Sequence, residues 1–251
     1  MLEDTRPPPA EASIMRDGAC MKTVGIIGGV GPESTIDYYR LIIAEYRKQR
    51  PDGSYPPMII NSVDLKKMIG LMEANDMAAL TASLVDEIGK LARAGADFGV
   101  LSSNTPHIVF DELSRQSPIP LISIVLATCE AAKSLGLNKL GLFGSGYTMR
   151  ANFFQKVFSS AGITVIVPDS NEQSYIHDKY MDELVKGTFL PETREGLMKI
   201  VGRLQQEEGI QGLILGGTEL PLILRDVHDR DIPFLDTTQI HVKAVVREML
   251  S

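Results

Sequence analysis

The chain has 251 residues, 25 Lys+Arg against 32 Asp+Glu, 44 % hydrophobic residues and 6 % aromatics. This composition fits a globular chain long enough for a sizeable core and excludes collagen-like, low-complexity and wholly disordered architectures. A formal charge of −7 argues against general nucleic-acid binding, which needs a basic surface to displace counterions. No apolar run reaches the roughly 18 residues that a membrane helix needs, and two cysteines, Cys20 and Cys129, are too few for a disulfide framework or a structural zinc site. A soluble, cytoplasmic α/β protein is expected.

Residues 1–20 stand apart, with three consecutive prolines (Pro7 to Pro9), charges of both signs and no apolar run. They lack the apolar segment of a secretory signal and are expected to be a disordered leader or an expression remnant. From Met21 onward short apolar runs alternate with helical patterns. The runs at 23–27, 58–62, 98–102, 121–124, 140–143, 164–167, 212–215 and 233–235 are nearly continuous rather than alternating, as parallel strands covered on both faces would be. Between 76 and 94, Leu80, Leu84, Ile88 and Leu91 recur at three- and four-residue steps, after Asn75-Asp76 as N-cap chemistry and before Gly95 as a C-terminal stop. Strand–helix alternation of this kind predicts a parallel sheet built from βαβ units.

The sequence also repeats itself. KTVGIIGGVGPEST (22–35) matches KLGLFGSGYTMR (139–150), GADFGVLSSNT (95–105) matches GIQGLILGGT (209–218), and SPIPLISIV (117–125) matches DRDIPFLDTT (229–238). Three matches in one order, at nearly one offset, imply two homologous α/β halves at 21–117 and 118–235, the first completed by 236–251. Ligands of open parallel sheets sit beyond the carboxyl ends of the strands. Two facing halves would therefore put Ser102-Ser103-Asn104-Thr105 and Gly216-Gly217-Thr218-Glu219 on opposite sides of one cleft. That arrangement suits a reaction addressing both faces of one carbon.

GIIGGVGPEST (25–35) is a glycine-rich strand-to-helix turn, neither GxGxxG nor a P-loop. Its N–H groups can hold a carboxylate or phosphate, or its glycines can simply permit a tight turn. SSNTPHIVFDEL (102–113) taken alone is ordinary capping, with His107 a satisfied polar group, yet its match to GGTEL favours a substrate-cradling segment. DTTQIH (236–241) reads as a cap. A triad of Ser103, His107 or His241, and Asp236 lacks a nucleophile elbow around the serine. The four histidines, His107, His177, His228 and His241, lack metal-ligand spacing, so no metal is expected.

GIIGGVGPESTIDYYRLI, NSVDL, GADFGVLSSNTPH, GLFGSGYTM, ILGGTELPLIL and IPFLDTTQIH, in that order, resemble the aspartate/glutamate racemase superfamily from about Met21 onward. The resemblance implies two pseudo-symmetric domains enclosing the substrate, no pyridoxal phosphate or metal, and two opposed cysteines as acid and base. Here Ser103 and Gly217 stand where those thiols are expected, with Thr218 beside the second. A serine hydroxyl is far less acidic than a thiol and needs a neighbouring base. The resemblance also implies an Arg or Gln clamp where this chain has apolar Met68 to Met72, and a helix-start Lys where alignment puts Tyr175, with Lys179 one turn later as a substitute. Val30, Gly31, Asn104, Thr105, His107, Tyr175, Lys179 and Glu219 are the expected substrate-binding set.

Three functions follow. The first is a cofactor-independent racemase or epimerase acting on an amino acid or related small carboxylic acid. The second is a malonate-type decarboxylase of the same superfamily, and the third an inactive small-acid binding protein. A homodimer is expected by resemblance, with no nucleic-acid or membrane partner.

Overall fold

The computed structural model describes residues 21–224 and 232–251. The expected leader at 1–20, with Cys20, lies outside the described residues, as do His228 and the start of the repeat segment at 229–238. In chain order the elements are β1 (Val24–Gly28), α1 (Pro32–Gln49), β2 (Met58–Ser62), α2 (Leu65–Glu73), α3 (Met77–Arg93), β3 (Phe98–Leu101), a 3₁₀ turn at Thr105–Val109, α4 (Phe110–Gln116) and α5 (Ile124–Ser134). There follow β4 (Lys139–Gly144), α6 (Gly146–Arg150), α7 (Phe153–Ser160), β5 (Thr164–Ile166), α8 (Ser170–Asp182), α9 (Pro191–Arg203), β6 (Gly212–Gly216), α10 (Leu220–Leu224), β7 (Phe234–Asp236) and α11 (Thr237–Met249).

Two parallel sheets result, ordered β2-β1-β3 and β5-β4-β6-β7. Strands β1, β3 and β6 are buried along their whole length, which is why they read as unbroken apolar runs. Strand pairing aligns the ends of neighbours: Ile27 sits beside Leu101 in the first sheet, and Gly144 beside Gly216 in the second. The α3 signals act as expected. Asp76 accepts from the Ala79 N–H at 2.9 Å, Leu80, Leu84, Ile88 and Leu91 are buried, and Gly95 takes φ +98° beyond the helix end.

The run at 121–124 is the one expected strand that does not form. Only Leu121 bridges to Gly99, flanked by the bonds from Gly99 N–H to Pro120 O (2.8 Å) and from Ile122 N–H to Gly99 O (3.1 Å). Pro118 and Pro120 remove donors before it, and the Ser123 hydroxyl then accepts from Leu126 N–H and opens α5 at Ile124. The bridge nonetheless occupies the place in the first sheet that β7 occupies in the second.

The chain crosses back after β7. Helix α11 lays Val242, Val245, Val246 and Met249 against Val24, Ile26, Tyr38 and Ile42 of the first half. Within that contact the Tyr38 hydroxyl donates to His241 Nδ1 at 2.7 Å, and His241 Nε2 donates to the Ile122 carbonyl at 3.0 Å. Both residues are fully buried, and burial lowers the His241 pKa to about 4. A base whose folded pKa is depressed contributes stability above its unfolded pKa of about 6.5, lost as pH falls toward the folded value. Urea unfolding at pH 7.5 and 4.5 is expected to show a His241-dependent loss of about 2–3 kcal/mol. His241→Gln, weaker at pH 7.5, should lose that much less on acidification.

Candidate active site

Four strand ends converge. The residues that follow β1, β3, β4 and β6 all line one narrow cleft, with an open volume of about 50 Å³. The first half contributes Val30 and Gly31 after β1, and Ser103 and Thr105 after β3. The second contributes Ser145 and Tyr147 after β4, and Glu219 after β6. Leu65, Ile69 and Met72 of α2 close one wall, and Tyr180 and Met181 of α8 with Val185 close another.

Neutral hydroxyls join the halves at this cleft. Thr105 Oγ1 lies 3.2 Å from Ser145 Oγ and 3.1 Å from Thr148 Oγ1, and those two are 3.2 Å apart. Ser34 Oγ donates to the Ser102 carbonyl, while Ser102 Oγ donates to the Ile27 carbonyl at 3.0 Å. These bonds fix the segment that carries Ser103 against the start of α1. Ser103 is 9 % exposed at the cleft wall.

Asn104 faces the half-to-half junction. Its Nδ2 donates to Thr237 Oγ1 at 3.1 Å, which donates onward to the Leu215 carbonyl at 2.7 Å, while Oδ1 is buried without a hydrogen-bond partner. His107 lies behind the wall. Its Nδ1–H donates to the Ser103 carbonyl at 3.1 Å, and its Nε2 accepts the Ile124 N–H at 3.2 Å. Burial lowers its pKa to about 3, keeping the ring neutral. The imidazole thus ties the serine segment to the start of α5 and touches the carbonyl of Ser103 rather than its hydroxyl. With both nitrogens of His241 also engaged, the triad considered from sequence is not assembled.

Glu219 is the ionisable group at the centre. It is 2 % exposed, and Oε2 accepts from both the Tyr180 hydroxyl and Thr218 Oγ1, the latter at 2.9 Å. Burial raises its pKa, the two hydrogen bonds pull it down, and the nearby Glu33 charge adds to the rise. Gly217 is buried, and a Cβ there would stand 2.5 Å from Tyr180 Cε2 and 2.9 Å from Cζ. The expected place of the second thiol is therefore filled by a phenol ring. Among the described residues no thiol reaches the cleft: Cys129 lies on α5, packed among Ile124, Val125 and Phe154. No group of three potential metal ligands occurs among the described residues.

Besides Asn104 and His107, two more expected binding residues lie off the cleft. Tyr175 packs over Gly196 of α9, and Lys179 pairs with Glu183. Neither lines the cleft, because α8 turns Ile176 and Tyr180 inward instead. That face was readable from the i, i+4 spacing of Ile176 and Tyr180, whereas alignment by motif pointed one residue away, to its neighbour.

A family model described as Asp/Glu/Hydantoin racemase matches residues 27–245. The chain belongs to this family. It is 24 % identical to the broad specificity amino-acid racemase RacX of Bacillus subtilis, over 91 % of this chain and 98 % of that one. An aspartate racemase homologue from Pyrococcus horikoshii superposes with a TM-score of 0.80 at 32 % identity, covering 92 % of this chain and all of the other. The Picrophilus torridus aspartate racemase shares the fold, with a TM-score of 0.70 at 21 % identity over 91 % of this chain and 94 % of its own. Within the Asp/Glu/hydantoin racemase fold, the contact between Tyr180 and Gly217 is open to a direct test. Gly217→Ala is expected to cost about 1–3 kcal/mol through overpacking against the ring. In a Tyr180→Ala background the same step should cost less than about 0.5 kcal/mol, and a thermodynamic cycle of urea melts measures the difference.

Proposed function

We propose that this chain is a cofactor-independent amino-acid racemase or epimerase whose substrate carries an uncharged, apolar side chain. The reading is carried by the composition of the cleft: among its described lining residues there is no lysine or arginine, and Leu65, Ile69, Met72, Met181 and Val185 supply apolar walls. A second carboxylate, as in aspartate or glutamate, would be desolvated there without a cationic partner, which costs more than the contacts return. One substrate carboxylate would be taken by backbone N–H groups near Val30, Gly31, Thr105 and Glu219, residues that border the cleft. The broad specificity of the Bacillus subtilis relative is compatible with a shift away from acidic substrates.

In such a reaction a base removes the α-proton and the electron pair passes into the substrate carboxylate as an enolate. Return of a proton to the opposite face inverts the carbon. Ser103 stands on the first face of this cleft, in the place where the resemblance puts a thiol.

The test is proton NMR in D₂O with alanine, valine, leucine, methionine, aspartate and glutamate, each as separate enantiomers, without added cofactor. The apolar amino acids should lose their α-proton signal at least about tenfold faster than the acidic ones, and Ser103→Ala should lose interconversion of enantiomers. Absence of exchange across the panel would overturn the racemase reading. Release of CO₂ from a malonate-type acid would then make the protein a decarboxylase, and saturable binding without turnover a small-acid binding protein.

A further inference from the structure

Gly217 and Tyr180 are complementary. A glycine where the chain runs past α8 opens room for a phenol, and the phenol ring fills it, with Oη 3.0 Å from where a Cβ would sit. The ring delivers its hydroxyl to Glu219 Oε2, where Thr218 Oγ1 also donates. Both protein donors therefore hold one carboxyl oxygen. The other is turned across the cleft toward the first half: a Cβ on Gly31 would lie 2.8 Å from Oε1. Gly31 begins α1 with φ +93°, a conformation that glycine adopts without strain, and its missing side chain keeps that approach open. Gly31, Ser103, Tyr180 and Glu219 border the same cleft.

We propose that Glu219 Oε1 exchanges the proton on the second face of the substrate, and that Tyr180 positions it. The inference rests on the isomerase reading above and supplies the acid–base group that Gly217 cannot. In the forward step the Glu219 carboxylate takes the α-proton. The C–H electron pair stays on the substrate as its enolate, and Glu219 becomes a carboxylic acid. In the return step the enolate pair re-forms a C–H bond, with the proton from Oε1 or with a solvent deuteron that has replaced it, and the carboxylate is restored. Tyr180 and Thr218 keep their protons throughout. They hold Oε2 so that the proton-bearing oxygen faces the cleft. Burial raises the carboxyl pKa, toward the range in which a carboxyl group serves as both acid and base near neutral pH.

The two faces are then unequal. A carboxylate stands on one side and the Ser103 hydroxyl, a far weaker acid and base, on the other. Proton return from the Glu219 side, which retains configuration, outruns delivery from the Ser103 side, which inverts it.

The experiment follows one apolar L-amino acid that exchanges in D₂O, reading α-proton loss by NMR and enantiomer composition by chiral chromatography between pH 5.5 and 9. The wild-type protein is expected to exchange with retention at least about tenfold faster than it inverts. Ser103→Ala should keep the exchange with retention. Glu219→Gln should lose exchange by about a hundredfold or more, with circular dichroism confirming that it is folded. Tyr180→Phe, which removes a hydrogen bond to the ionised carboxylate, should slow exchange about tenfold and move the acidic limb of the rate profile to higher pH. This second variant decides the matter if Glu219→Gln does not fold. Wild-type-like exchange in folded Glu219→Gln, or an acidic limb unmoved in Tyr180→Phe, would overturn the role of Glu219 and leave the isomerase reading standing. A wild-type protein that exchanges none of the amino acids would overturn the isomerase reading, and the role of Glu219 with it.

Discussion

Glu219 brings a carboxyl group into a cleft whose described walls hold no cation, so it must be held by dipoles and hydrogen bonds instead of by an opposite charge. Leaving such a group unsatisfied would cost several kcal/mol, and the local architecture is arranged around avoiding that. The Thr218 hydroxyl donates from the next residue, the Tyr180 hydroxyl donates from α8, and α8 approaches this closely only because Gly217 has no side chain. Gly31 keeps the opposite side open. A larger residue at 217 would displace Tyr180 and strip Glu219 of a donor at the same time, so these positions act as a unit.

The junction between the halves follows the same economy of charge. Thr105, Ser145 and Thr148 share a ring of hydroxyls, and Asn104 reaches the second sheet through Thr237. His107 and His241 are held neutral by burial, each with both ring nitrogens used. Hydroxyls donate and accept equally well and carry no net charge to desolvate. A cleft built from them imposes little field of its own, which leaves the ionisation of Glu219 to be set by burial, by its two donors and by Glu33.

Much of the fold was legible from residue patterns. Continuous apolar runs marked the buried strands, and Asp76, Leu80, Leu84, Ile88 and Leu91 defined α3 from cap to core. The internal repeat placed Gly28 opposite Gly144 and Thr105 opposite Thr218, and these positions do border or adjoin the strand ends that build the cleft. The run at 121–124 misled because Ser123 caps a helix more strongly than three apolar neighbours extend a strand. Strand-end position points to Ser103, Thr105 and Glu219, and the glycine-rich turn to Val30 and Gly31; all five line the cleft. Tyr175 and Lys179 do not, since motif alignment fixes a residue only to within a helical step, and one step turns a side chain by about 100°. The empty position at Gly217 was visible, whereas its occupant was not. Tyr180 arrives from a different helix, and no local signal connects the two.

The crossing of the chain after β7 bears on how the molecule is made. Strands β1 and β3 and helix α1 leave the ribosome well before α11, yet the apolar surface of Val24, Ile26, Tyr38 and Ile42 is closed by Val242, Val245, Val246 and Met249. The first half therefore waits with that surface uncovered while the whole second half is synthesised. The second sheet draws β4, β5, β6 and β7 from one continuous stretch. Vectorial synthesis thus leaves that apolar surface exposed on the nascent chain until α11 emerges, the condition under which partly made chains are most prone to aggregate.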